Sequence, residues 1–206
     1  MSEEGKGCVI GVTGAPGSGK TFVGRMFADL GAELVSLDAV GHGLLEEEEV
    51  EEEIRRTFST GVFRIMDGKI SRKKLADVVF DDSAELARLN SIMHARMVDR
   101  VKARLAGWRE GRPGKGAPGF VIEGALLIEM GLADHCDRVV LVTAPRNERL
   151  ARLSRSRGWD EAELSRRERS QLDEAEHRRR ASAVVENVGE IDEIRNKVKA
   201  LWEEWT

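Results

Sequence analysis

Apolar residues fall along this chain in two alternating rhythms. One is the short continuous run. Cys8–Thr13 (CVIGVT) is apolar, rich in β-branched residues and ends at a glycine-rich segment, so it reads as a buried strand. Leu34–Leu37, Phe120–Glu123 and Val139–Val142 read the same way, with Val184–Glu186 as a last strand. The other rhythm is a spacing of three and four. Phe22, Val23, Met26, Phe27 and Leu30 predict a helix that Gly31 stops. Ser71 predicts a cap for a helix running towards Phe80. Leu86, Leu89, Met93, Met97, Val101 and Leu105 predict one long amphipathic helix, its methionines serving as core filler. Leu150–Arg180 reads as helical and polar, and Ile191–Trp205 as the last helix. Asp67-Gly68 marks a turn and Gly111–Gly119 a loop. Strands alternating with helices imply an α/β fold with a parallel sheet covered on both faces.

Length and charge narrow the class. At 206 residues the chain makes one domain with room for an insertion. Charged residues reach 34 %, above the usual quarter or so, yet 33 basic against 37 acidic side chains leave a net charge of −4. That balance excludes a general nucleic-acid binder, and the absence of Tyr argues against base-stacking platforms. No apolar run is long enough for a membrane span and the acidic start is not a signal peptide, so a cytoplasmic protein is expected. Cys8 and Cys136 form no CxxC pair and are expected to be buried small hydrophobes. His42, His135 and His177 show no metal-ligand spacing. Two charge clusters stand out. Glu46–Glu53 is all glutamate except Val50, and reads as a solvated helix face. Arg146–Arg180 is rich in arginine, the side chain suited to forked recognition of phosphate oxygens.

The arginines matter because phosphate is already indicated elsewhere. Gly14-Ala15-Pro16-Gly17-Ser18-Gly19-Lys20-Thr21 fits G-x-x-x-x-G-K-[ST] at every fixed position, with a strand before it and a helix after it. Glycines allow backbone N–H groups to approach phosphate oxygens, and the helix brings its positive end to the same place. Lys20 reaches the β and γ phosphates of ATP, and the Thr21 hydroxyl can ligate Mg²⁺. Asn196-Lys197-Val198-Lys199 lacks the Asp of a guanine-reading motif, so a GTPase is excluded. A small-molecule kinase remains, which needs a base, a metal-shell carboxylate and a lid. Asp38 ends the second strand at the edge where parallel sheets bind ligands, placed as base or as helix cap. Glu123 ends another strand, placed to hold Mg²⁺ with Thr21. Arg149, Arg152, Arg155 and Arg157 begin the lid, the first three on one helical face. A lid excludes water that would otherwise take the phosphoryl group.

Read together, these residues resemble the dephospho-coenzyme A kinase family. The resemblance is carried in order by Gly11–Thr21, Leu30-Gly31, Asp38, Asp67–Arg72, Leu75, Leu89, Ile92 and His94. It continues through Glu123, Leu126-Leu127, Glu129, Gln171, Ala181, Val184, Asn187 and Gly189. It implies a P-loop kinase core with a five-stranded parallel sheet, a helical substrate-binding part and a lid. The layout within a single domain is a core at about 8–38, 119–150 and 183–206, a substrate-binding region at about 39–110 and a lid at about 150–180. The implied reaction is ATP-dependent phosphorylation of the 3′-hydroxyl of dephospho-CoA, the last step of CoA synthesis. Lys20, Asp38, Arg155 and Arg157 are then the catalytic candidates. The phosphate loop with Arg149, Arg152, Asn187 and Gly189 would hold ATP, and Asp38, His42, His94, Glu123, Leu126 and Leu127 the acceptor. A monomer or small homo-oligomer is expected. Four positions depart from the family pattern: Ser36, Ala95, Ala125 and Ser182. Ser156 stands where the lid arginine aligns, flanked by Arg155 and Arg157. A divergent kinase of a nucleotide or other small alcohol, and a non-catalytic nucleotide-binding module, stay open as alternatives.

Overall fold

Residues 7–58, 60–64, 68–111 and 117–206 are described by the computed structural model. The chain divides into two compact units, one made of residues up to Leu37 with Ala103–Thr206, the other of Asp38–Lys102.

The first unit is built on β1 (Cys8–Thr13), whose six residues are all buried. β1 is flanked on both sides, pairing in parallel with β3 (Gly119–Glu123) and β4 (Arg138–Thr143). β2 (Glu33–Ser36) and β5 (Ala183–Glu186) complete the order β2-β3-β1-β4-β5, all parallel, as the alternation of rhythms predicts. Because every strand runs the same way, Thr13, Ser36, Glu123, Thr143 and Glu186 end on one edge of the sheet. That edge is where such sheets bind ligands. On one face, α1 (Lys20–Asp29) and α9 (Ile191–Trp205) bury Val23, Phe27, Ile194, Val198 and Trp202 against the strands. The Phe27 and Trp202 rings stack at a tilt, 6.2 Å apart. On the other face Leu127 is wholly buried, close to β1 at Gly11, where any β-carbon would meet its methyl at 2.6 Å.

Two element boundaries move from the sequence reading. The second strand stops at Ser36, not Leu37. Leu37 instead opens α2 (Leu37–Leu44) and packs its side chain where a Gly124 β-carbon would sit. The single polar helix expected over Leu150–Arg180 is three: α6 (Arg146–Arg157), α7 (Glu161–Glu168) and α8 (Glu174–Arg180). Gly158 ends α6 in the left-handed region at φ 68°, and Asp160 and Asp173 cap the next two by accepting from Glu163 N and Glu176 N. Gly31, also at positive φ, stops α1 as expected.

The second unit is helical. α3 (Glu48–Thr57) carries most of the glutamate run, with Val50 and Ile54 as its buried stripe. α4 (Arg72–Asp81) is capped by Ser71, whose hydroxyl accepts from Lys74 N. α5 (Ser83–Glu110) is the long helix, continuing into the first unit. These pack around Leu44, Ile54, Phe58, Phe63, Ile70, Leu75, Val79, Ile92 and Met93. The glutamates form pairs: Glu51 with Arg55, Glu52 with Arg56, Glu53 with Arg96 and Glu47 with Arg100. The Asp67-Gly68 turn falls partly outside the described residues, as does the tip of the Gly111–Gly119 loop, residues 112–116. Among the described residues no helix is long and apolar enough to cross a membrane.

Candidate active site

The loop between β1 and α1 takes its shape from three glycines at positive φ, Gly14 at 153°, Gly17 at 78° and Gly19 at 95°. All three are also sterically obligatory. A β-carbon at Gly14 would strike the Val142 carbonyl, one at Gly17 the Arg149 carbonyl and one at Gly19 the Asn187 amide. The loop turns tightly, with Ser18 N donating to Ala15 O, and passes directly into α1 at Lys20. Helix N-terminus and inward-facing amides together make an anion site.

Thr21 and Glu123 meet at this edge. The Thr21 hydroxyl donates to the Glu123 carboxylate across 3.2 Å, and Glu123 is only 2 % exposed. A hydroxyl beside a carboxylate is an oxygen-only donor set, the kind Mg²⁺ takes together with phosphate oxygens and water. Among the described residues no cluster of three or more His, Cys, Asp or Glu could hold a metal by itself.

The arginines expected over the nucleotide divide. Arg149, 8 % exposed, donates to the carbonyls of Pro16 and Ala144 and pairs with Glu168 at 2.7 Å. Arg152 donates to Gly17 O, to Asn187 O and to Glu148. Both are thus braced against the back of the phosphate loop. Arg155 lies exposed along its own helix, and Arg157, also exposed, stands over the Trp159 ring at 5.3 Å. Asn187 anchors the loop from a third segment: its amide donates to Ser18 O at 2.7 Å and its N–H to Thr143 O. Gly189 follows it at φ 80°.

A family model described as dephospho-CoA kinase matches residues 8–193. The chain belongs to the dephospho-CoA kinase family. It is 33 % identical over 198 residues to the dephospho-CoA kinase of Aquifex aeolicus, covering 96 % of this chain and 97 % of that one. The relative from Moorella thermoacetica is 35 % identical over 197 residues, with 95 % and 91 % covered. A Thermus thermophilus protein of known crystal structure superposes with a TM-score of 0.78 at 32 % identity, over 98 % of this chain and all of that one. Like its family, this chain is an ATP-dependent kinase.

Other candidates are scattered. Asp38 is exposed in the first turn of α2, inside the helix, not at its cap. His42 is exposed on the same helix, and His94 is half-buried on α5. Leu126 is half-buried, whereas Leu127 has no exposed surface and lies in the core. Glu168, which the sequence reading did not single out, takes both Arg146 and Arg149. His177, to sequence only one of several scattered histidines, is the buried residue of α8, 3 % exposed, with its Nδ1 on the Asp173 carbonyl and Nε2 4.0 Å from Glu129. Nothing in their spacing marks either.

Proposed function

We propose that this enzyme transfers the γ-phosphoryl group of ATP to the 3′-hydroxyl of dephospho-CoA, giving ADP and CoA. One coincidence carries the reading: a complete phosphate loop with its Thr21–Glu123 pair lies in a chain matching dephospho-CoA kinases over nearly its full length. Lys20, at the start of α1, neutralises charge on the β and γ phosphates. Thr21 and Glu123 would hold Mg²⁺, Thr21 as a ligand and Glu123 directly or through water, and the ion would supply neutralisation of charge on those phosphates. Asp38 takes the proton of the acceptor hydroxyl, with His42, His94 and Leu126 as further acceptor contacts. Gly189 belongs to the turn that receives the adenine. Arg155 and Arg157, both exposed, meet the polyphosphate. The enzyme acts in the cytoplasm on a small molecule.

The test is ADP release with dephospho-CoA against a panel of nucleoside monophosphates and small alcohols. Turnover of dephospho-CoA at least tenfold above every other acceptor is the expected result. A nucleoside monophosphate as the best acceptor overturns the substrate. ATP binding without turnover of any acceptor overturns catalysis.

A further inference from the structure

We propose that Arg149 and Glu168 are positioning residues, which aim the phosphate loop by holding its Pro16 carbonyl outward. The inference rests on the ATP-dependent reading of the same loop, and the argument is geometric. In a trans peptide the carbonyl and the next residue's N–H point in opposite directions. Pinning Pro16 O to the Arg149 guanidinium at 3.2 Å therefore turns Gly17 N–H to the other side. Asn187 does the same for the Ser18–Gly19 peptide through Ser18 O. Arg152 reaches Gly17 O more loosely, at 3.4 Å. The loop's amides are thus presented before any nucleotide arrives, which removes the ordering cost of binding.

Arg149 is the strongest of these braces. A single planar guanidinium meets Pro16 O, Ala144 O and Glu168, so loop, β4 exit and α7 are joined through one fork. The helix backbone follows it in: a β-carbon on Gly17 would stand 2.8 Å from Arg149 O. Glu168 keeps the buried cation neutral, and without it that charge would stand largely uncompensated. Arg146 holds Glu168 from its other oxygen at 3.1 Å.

Glu168→Gln separates this role from direct contact with ATP. ATP affinity is read by calorimetry with Mg²⁺ present and no acceptor, so the result does not depend on which acceptor the enzyme uses. The brace predicts roughly tenfold weaker ATP binding and a Tm lowered by the uncompensated Arg149 charge, with the KM for dephospho-CoA little changed. Arg149→Lys, which offers no fork, should weaken ATP by roughly 10- to 100-fold. Arg149→Ala should regain part of the loss with millimolar guanidinium. If Arg149 were instead an ATP ligand held back by Glu168, Glu168→Gln would free it and ATP would bind more tightly. Tighter or unchanged ATP binding in Glu168→Gln overturns the proposal. So does a loss shared equally by ATP and dephospho-CoA, which is what a damaged fold gives. Failure of the wild type to use dephospho-CoA would sink the substrate assignment and leave this comparison intact.

Discussion

At the scale of the residue, Lys20, Asp38 and the two cysteines make separable predictions. Lys20→Ala should nearly abolish turnover. Asp38→Asn keeps the size of the side chain but cannot accept the proton, so kcat should fall by roughly 10²–10⁴, the range of a general base. An Asp38→Asn enzyme with the parent kcat removes Asp38 from the chemistry. Burial, with help from Asp137, pushes the Cys8 thiol up to about 11 and the Cys136 thiol up to about 12 from the ordinary 9.0. Both folded values are raised, so their stabilising contribution is complete below pH 9 and is lost as pH climbs towards 11–12. Urea midpoints measured across that window should fall less steeply in Cys136→Ala than in the parent. There is no Tyr to obscure the difference. Single residues also show where sequence reading works. The phosphate loop is legible because its glycines answer a backbone need that no other side chain meets. The departure at Ser182 turns out to be chemically mild, since its hydroxyl accepts from Val139 N, a task an Asp could also perform. Glu168 is illegible because its meaning lies in a partner 19 positions away, on another helix.

Elements were legible where periodicity and punctuation agreed. The parallel sheet, the Ser71 cap and the long α5 follow from runs and spacings that admit one solution. The segment 150–180 misled because its few apolar residues, such as Leu153 and Leu164, make too thin a stripe to mark where a helix breaks. Gly158 and Asp160 hold the information instead, one ending α6 and the other starting α7. Asp160→Ala removes the acceptor for Glu163 N and should lower stability by about 1 kcal/mol. A thermal melt reads that as a shift of roughly 2–4 °C. An unchanged Tm would mean that Glu163 N finds water as good a partner. Because α7 carries Glu168, the same variant should also raise the KM for ATP.

For the whole molecule, the net charge of −4 conceals a sorting of charge by element. Glu53 of α3 and its N-cap Glu47 meet arginines of α5 in one unit, while in the other Arg149 and Arg152 are divided between carboxylates and loop carbonyls. Mg-ATP at about a hundred times its dissociation constant should add about 2.7 kcal/mol to the unit that binds it, a Tm rise of roughly 5–10 °C. Lys20→Ala should lose most of that rise, and an equal rise in the variant would place the nucleotide elsewhere. The phosphate loop also carries a constraint on timing. It is written near the start of the chain, but its braces lie 133, 135 and 169 residues downstream, at Arg149, Arg152 and Asn187. Contacts of such separation form late. A chain still emerging from the ribosome therefore displays the whole motif before its braces exist, and should hold a nucleotide only weakly. Its full grip should come once β5 and the Asn187 turn have been made, so ATP should give little help to the early folding of its own binding loop.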